Sequence, residues 1–250
     1  MRSADVRRYA TAAVLVPLAG GLAGCVETTQ QKNARVDLQD RRIFATRESV
    51  HVRRQDPNIA VRRVRMLRSR SGVAVAVTLR NEGSTPVSDL PISVGVSGRR
   101  RRTSYLNGAP ELPYFQTHIA AVAAKGESTW VFSRRRPAPS GRPFARVGAP
   151  EIGVAKGVSG LPAIVAKVTS VSRRGQSRAG TLAEIVNSSS ISQPELEVYA
   201  YALAGSRLLA AGSAPLRSLE SGARSTLEIP LLGDPGSSPV QLQAPPTNLQ

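Results

Sequence analysis

The stretch Val73-Ala74-Val75-Ala76-Val77-Thr78-Leu79-Arg80-Asn81 decides the fold that we predict for this chain. Large apolar side chains alternate with small or polar ones, and this period of two is typical of a β-strand with one buried face. The strand ends at Asn81, where a run of turn-forming residues begins, Glu82-Gly83-Ser84-Thr85-Pro86. An asparagine at a strand end bonds the backbone that follows it, so we expect the chain to reverse here.

Segments with similar alternation lie on both sides of this strand. Further strands are predicted at residues 59–66, 92–96, 118–122, 128–132 and 144–147, separated by loops rich in Gly, Pro, Ser and Arg. The alternation slips by one residue at Arg62-Arg63, which predicts a β-bulge. Residues 34–44 and 49–54 alternate in patches among arginines, and we interpret them as short edge strands or an ordered arm. The first half is therefore predicted to be built from about seven short strands.

The second half of the chain repeats the first. A shift of 106 residues places Val77-Thr78-Leu79-Arg80-Asn81 on Ala183-Glu184-Ile185-Val186-Asn187, and the Gly turn at residues 125–129 matches that at 221–226 after a shorter connection. Strands are predicted here at residues 164–171, 182–186, 196–203, 207–211, 224–231 and 240–242. Unrelated β-domains share such turns, but the repeated order of strand, Asn loop and Gly turn favours an internal duplication.

The repeated unit of strand, Asn loop, strand and Gly turn resembles the small immunoglobulin-like modules found in tandem in bacterial envelope proteins. Examples of such modules are the cell-adhesion-related bacterial domain and the FxLYD domain. The resemblance covers about residues 59–147 and 164–242, while the F-x-L-Y-D motif itself is absent. It implies an all-β fold of two tandem antiparallel immunoglobulin-like β-sandwiches that serve for contact rather than chemistry.

The beginning of the chain has the layout of a secretory leader. Arg2, Arg7 and Arg8 precede an apolar run at residues 10–22, which is shorter than the roughly 20 residues that span a bilayer. Leu22-Ala23-Gly24-Cys25 follows, with the only cysteine. This ending resembles the lipobox of bacterial lipoproteins, formed here by Leu22, Ala23 and Gly24. The resemblance implies cleavage before Cys25, lipidation of its sulfur and an extracytoplasmic protein anchored to a bacterial membrane.

Two other interpretations of Cys25 are disfavoured by its neighbours. An ordinary buried thiol would not explain the small residues before it or the polar stretch at residues 27–33, and the apolar run is too short for an uncleaved anchor. We therefore divide the chain into a signal peptide (1–24), a lipidated N-terminus with tether and arm (25–57), a basic sandwich (58–149), a linker (150–160), a second sandwich (161–244) and a tail (245–250).

Positive charge is concentrated in the first half of the chain. The net charge is +17; residues 25–150 carry 23 Lys and Arg against 9 Asp and Glu, whereas residues 151–250 carry 8 against 7. Arginine binds phosphate and carboxylate bidentately, which indicates an anionic partner. The codon usage of a GC-rich genome would produce the same excess, so both explanations stay open.

Several of these arginines are candidate anion contacts. They are Arg68, Arg70, Arg99, Arg100, Arg101 and Arg102. Because successive antiparallel strands reverse direction, we predict that these six share one end of the first sandwich and that Arg134, Arg135 and Arg136 lie at the other.

No pattern in the sequence indicates catalysis, a metal or another cofactor. His51 and His118 are far apart in the chain, and we predict half-exposed strand positions for both. Glu195 and Glu197 fall on one face of a strand, and we expect them to face solvent rather than to form an acid and base pair. The protein is therefore not predicted to be an enzyme.

The expected function is binding or scaffolding in the cell envelope. The expected partners are the membrane, held through the lipid anchor, and an anionic envelope polymer, a lipid headgroup or an envelope protein. Nucleic acid is disfavoured, because the compartment is wrong and because aromatic residues that stack on bases make up only 4% of the chain. The alternative is a non-catalytic accessory subunit of an export or cell-wall assembly complex.

Overall fold

The computed structural model describes residues 51–98, 102–150, 160–172 and 179–249. Cys25, the leader before it and most of the predicted linker lie outside these ranges. The described chain consists of antiparallel β-sheets with one 3-10 turn at Tyr114–Gln116, which confirms the predicted all-β sandwich fold. No helix in the described ranges has the length and apolarity that crossing a bilayer requires.

Seven strands form two sheets in the first half. They are β1 Ile59–Ser69, β2 Gly72–Asn81, β3 Val87–Ser97, β4 Thr103–Tyr105, β5 His118–Val122, β6 Glu127–Arg134 and β7 Arg142–Val147. One sheet has the order β1-β2-β6, and in the other β3 pairs with β4, β5 and β7. The register of β1 on β2 shifts between Val61 and Arg63, so the predicted bulge is confirmed.

Seven further strands form two sheets in the second half. They are β8 Ile164–Ser172, β9 Gly180–Asn187, β10 Gln193–Ala204, β11 Arg207–Leu219, β12 Arg224–Pro230, β13 Leu232–Gly233 and β14 Val240–Gln243. The sheet orders are β12-β9-β8 and β13-β11-β10-β14. All described residues belong to one compact unit, Asp40–Gln250, so both halves are parts of the same body.

Equivalent strands of the two halves pair in the same register. Leu90 on β3 is the partner of Ile119 on β5, and 106 residues after Leu90, Leu196 on β10 is the partner of Leu216 on β11. The single long strand β11 takes the place of β4 and β5, which both run antiparallel to β3. The first half therefore differs by an insertion that divides this strand and carries the 3-10 turn.

Two buried asparagines close equivalent loops. Asn81 donates from Nδ2 to the carbonyl four residues later at 2.8 Å, and its Oδ1 accepts from the amide two residues later at 2.8 Å. Asn187 makes the same two bonds, at 2.8 and 3.0 Å. Neither side chain has exposed surface. The asparagine turn predicted at the end of each strand is therefore present in both halves.

Strand β2 is buried on both faces, although its alternation predicted only one buried face. Ala74 and Ala76, on the face expected to be open, are 0% and 1% exposed. The second half covers this face, because Tyr199, Tyr201 and Leu208 belong to the same apolar cluster as the core of the first half. Small alanine side chains let the covering sheet approach closely, so the two sandwiches share a buried interface.

The described part of the N-terminal arm packs on the first sandwich without forming a strand. Val52 is buried, and its amide donates to the Ser93 hydroxyl at 2.8 Å. The Gln55 side-chain oxygen accepts from the amide of Val147 at 2.9 Å. Of the two interpretations of residues 49–54, the structure shows the ordered arm at residues 51–54, while residues 34–44 lie outside the described ranges.

Candidate anion-binding end

Three loops that carry most of the clustered arginines meet at one end of the first sandwich. They connect β1 to β2, β3 to β4 and β6 to β7. The register brings them together, because Val73 is the partner of Arg134 and Ser97 is the partner of Arg142. Arg68 links the two sheets by donating from Nη2 to the carbonyl of Gly141 at 2.6 Å. We call this region the arginine-rich end.

The composition of the arginine-rich end is one-sided. Residues 67–74, 96–104 and 132–144 together contain ten arginines and no lysine, aspartate or glutamate. The exposed arginines among the described residues here are Arg68, Arg70, Arg102, Arg135, Arg136 and Arg142. Arg99, Arg100 and Arg101 lie in the same β3–β4 connection but outside the described residues. No carboxylate from these segments balances the charge, so the end is strongly cationic.

The prediction that Arg134, Arg135 and Arg136 lie at the opposite end was wrong. Arg134 pairs with the first residues of β2, next to the turn that carries Arg70. The prediction assumed that every strand reverses the direction of the one before it. Strands β4 and β5 break this rule, because both run antiparallel to β3 and hence in the same direction as each other. Arg68, Arg70, Arg102 and the run from Arg134 to Arg136 therefore belong to one end.

Two glycines allow the loops of this end to approach so closely. A Cβ atom on Gly72 would lie 2.2 Å from the carbonyl oxygen of Arg134, and one on Gly141 would lie 2.6 Å from that of Ser97. Both glycines have positive φ, +157° and +147°, which side-chain-bearing residues rarely adopt. Glycine at these two positions brings the arginine-bearing turns into contact.

The arginines at this end are not neutralised by the described ion pairs. Those pairs join Arg62 and Arg80 to Glu82, and Arg224 to Glu184, all away from the arginine-rich end. Arg134 is half-buried and donates from Nη1 to the Leu106 carbonyl at 2.9 Å. Burial, and then the charge of Arg136, lower the pKa of Arg134. A bound anion would relieve this mutual repulsion.

The two histidines occupy different environments from those predicted. His118 was predicted to be half-exposed, but it has no exposed surface and stacks on Tyr114 with ring centroids 4.0 Å apart. The prediction was wrong because all five residues of β5 are buried. His51 is exposed and lies outside any strand, and its ring centroid is 4.5 Å from that of Tyr105. Within the described ranges, no group of three His, Cys, Asp or Glu side chains could hold a metal ion.

Glu197 is buried, which corrects the prediction that it faces solvent. Its face of β10 also carries Tyr199 and Tyr201, which pack on the first half. Burial raises the pKa of Glu197 to about 7; the hydrogen bond with Ser213 opposes this rise, and the charge of Glu195 adds to it. The same burial raises the pKa of Tyr199 well above its ordinary value. This face is thus part of the interface between the halves.

The arginine-rich end has the chemistry to hold phosphate or carboxylate groups, because each guanidinium offers a planar fork of donors. The sequence identified Arg68, Arg70 and the run from Arg99 to Arg102 as candidates. It missed that Arg135, Arg136 and Arg142 lie at the same end as Arg68, Arg70 and Arg102. The second half contains the signal that could have located these arginines. One continuous strand there, β11, replaces β4 and β5, which indicates that β4 and β5 run in the same direction. A scan against protein-family models found no match, and a search of curated proteins found no similar sequence.

Proposed function

We propose that this protein is a lipid-anchored protein of the bacterial cell envelope that binds an anionic wall polymer or lipid headgroup through the arginine-rich end. The observation that carries the proposal is the meeting of three loops whose described residues include seven arginines, in segments whose sequence has no acidic residue. Codon usage explains an excess of arginine, but it does not explain why acidic residues are missing from the segments that meet. Binding requires no catalysis, and we propose a binding or scaffolding role.

The lipobox resemblance at Leu22, Ala23, Gly24 and Cys25 supports the proposed location. A lipidated Cys25 would anchor the body to a membrane surface, with the residues that follow as a tether. In that setting, phosphate-bearing polymers and lipid headgroups are the abundant anions. The repeated register of the two halves supports the finer assignment of both as immunoglobulin-like modules of the kind used for contact.

The alternative proposal is a non-catalytic accessory subunit of an export or cell-wall assembly complex. The buried interface between the halves favours it, because Tyr199, Tyr201 and Leu208 join two sandwiches into one body that could space a partner from the membrane. In this case the protein would bind another envelope protein, and the arginine-rich end would contribute little to that binding.

A sedimentation assay separates charge-dependent binding from the alternative. The chain from residue 26 to residue 250, made without leader and lipid, is mixed with vesicles of phosphatidylglycerol and phosphatidylcholine, or of phosphatidylcholine alone, and with purified anionic wall polymer. We expect binding to the anionic surfaces only. Binding should fall between about 0.1 M and 1 M salt, because the screening length shrinks from about 10 Å to about 3 Å.

Matched variants locate the binding surface. Arg70→Ser, Arg135→Ser and Arg136→Ser combined should abolish most of the binding, since each cation near an anionic surface contributes roughly 1 kcal/mol. Arg207→Ser, Arg217→Ser and Arg224→Ser combined remove the same charge from exposed positions in the second half and should leave binding nearly unchanged. Equal loss in both triple variants would show that only net charge matters, and no binding at low salt would favour the accessory-subunit proposal.

A further inference from the structure

A cavity that is separate from the arginine-rich end lies between the two halves. It has a volume of about 460 Å³ and is bounded by β1, β2 and β6 of the first half and by β10 and β14 of the second. This volume falls within the range of roughly 300–1,000 Å³ that is typical of small-molecule sites. It lies away from the arginine-rich end, because its lining comes from the part of β1 near the bulge and not from the turn that follows β1.

One wall of the cavity is a row of side chains across the first sheet. Arg63, Thr78 and Thr129 are direct cross-strand partners, so they project to the same side. The two threonine hydroxyl oxygens are 3.2 Å apart and share a hydrogen bond. The facing wall is formed by Tyr201 and Gln241, which are also direct partners. Hydroxyl, amide and phenol groups therefore converge on the same space.

The bulge in β1 places two positively charged side chains, Arg62 and Arg63, at the cavity. Arg62 has no partner on β2, and pairing resumes at Arg63, so two consecutive arginines line the cavity. In a regular strand, consecutive side chains point to opposite faces, and one of the two would be lost. Arg62 is held by an ion pair with Glu82, whereas Arg63 is exposed and forms no ion pair with another described residue.

Arg65 is held in place at the cavity by neutral groups. Its Nε donates to the Ser206 carbonyl at 3.2 Å, and its Nη1 donates to the Thr78 hydroxyl at 3.4 Å. Neither partner neutralises its charge. The lining as a whole contains three arginines and a single carboxylate, that of Glu127. The cavity is therefore positive, with Arg63 as the cation most available to a ligand.

We propose that this cavity binds a saccharide unit that carries one phosphate or carboxylate group. Arg63 and Arg65 would hold the anionic group through charge-assisted hydrogen bonds, which are stronger than neutral ones. The threonine hydroxyls and the Gln241 amide offer donors and acceptors for sugar hydroxyls, and the ring of Tyr201 and the side chain of Leu203 give the cavity an apolar side. The site does not depend on the arginine-rich end, since the two share no residue.

Isothermal titration calorimetry on the full chain in a neutral detergent tests this site. The probes are glucose 6-phosphate, glucuronate, glucose and inorganic phosphate at low ionic strength. We expect one or both of the anionic sugars to bind, and which of them binds identifies the anionic group. Arg63→Ala should weaken this binding about tenfold or more, because it removes a charged hydrogen-bond donor. Arg65→Lys keeps the charge but loses the fork and should have an intermediate effect.

Arg217→Ala is the matched control, because it removes the same side chain from an exposed strand position outside the cavity. It should bind the probes as the unmodified protein does. The melting temperature of the Arg63→Ala protein should equal that of the unmodified protein, because Arg63 is exposed. This measurement checks that the fold is kept. Three results would overturn the proposal: no binding of either anionic sugar, inorganic phosphate or glucose binding as tightly as the anionic sugars, or equal affinity of the Arg63→Ala and Arg217→Ala proteins.

Discussion

The buried Glu197 carboxyl should make the protein less stable as the pH rises through neutrality. The side chain is 6% exposed and lies on the face of β10 that packs on the first half. Burial raises its pKa from 4.5 to about 7, against the opposing hydrogen bond with Ser213. The folded protein therefore keeps this proton over a pH range in which the unfolded chain has released it.

The size and sign of the effect follow from the two pKa values. Because the folded-state pKa is the higher one, the contribution of Glu197 to stability is complete below about pH 4.5 and is lost as the pH rises through about 7. Each pKa unit corresponds to about 1.4 kcal/mol, so the free energy of unfolding should fall by about 3 kcal/mol across this range. That is a large part of the total stability of a typical domain, about 5–15 kcal/mol.

Urea unfolding between pH 5 and pH 8 measures this loss, with the fluorescence of the buried Trp130 as the signal. Glu197→Gln cannot ionise, so it should unfold with a weaker pH dependence and should be more stable than the unmodified protein at pH 8 by about 3 kcal/mol. Glu195→Gln is the matched control and should keep most of the pH dependence, because Glu195 is only partly buried. The reasoning is refuted if the unmodified and Glu197→Gln proteins lose stability in parallel over this pH range.

Three further predictions concern the anchor, the Asn loops and the interface between the halves. Cys25→Ser should leave the protein uncleaved or in the soluble fraction; a normally processed, membrane-bound mutant in cell fractionation would contradict this. Asn81→Ala and Asn187→Ala should each lower the free energy of unfolding by about 3 kcal/mol in urea titrations, because buried carbonyls lose their donor; an effect below 1 kcal/mol would contradict it. Residues 151–250 alone should give a β-sheet circular dichroism spectrum and self-associate, because the fragment lacks the first half that buries Tyr199 and Tyr201; a fragment that stays monomeric in analytical ultracentrifugation would contradict the shared interface.

The features that could be predicted from the sequence are those governed by local backbone chemistry. The period of two along residues 73–79 indicates a β-strand, and this indication does not depend on what packs against the strand. Asn81 and Asn187 each bond a carbonyl and an amide within the four residues that follow, so their loops are visible in the chain itself. Their further bonds to carbonyls at the end of β5 and of β11 come from distant parts of the chain and are not visible there. The bulge at Arg62-Arg63 is likewise a local slip of phase.

The features that could not be predicted depend on what covers each strand. Ala74 and Ala76 are small enough for an open face or for a tightly covered one, and only the packing of the second half decides between these. The burial of Glu197 follows from the same interface. His118 is buried because the insertion between β4 and β5 brings Tyr114 onto it. None of these contacts leaves a periodic signal in the segment that it buries.

The location of the candidate anion contacts depended on topology. The sequence indicated clustered arginines, but a count of alternating strands assigned Arg134 to the wrong end. The direction of β5 is set by its pairing with β3 and not by its position in the chain. A comparison of the insertion with the continuous strand β11 of the second half corrects the count, because β4 and β5 together correspond to that one strand.

The most direct test of the central claim is photo-crosslinking from the arginine-rich end in intact envelopes. A photoreactive amino acid replaces Ser140, which is exposed between Arg136 and Arg142, and in a control protein it replaces the exposed Ser237 of the second half. We predict that the probe at position 140 crosslinks to a phosphate- or carboxylate-bearing polymer or lipid, and that the probe at position 237 does not. Crosslinks from position 140 only to protein, or equal crosslinking of anionic material from both positions, would contradict the claim.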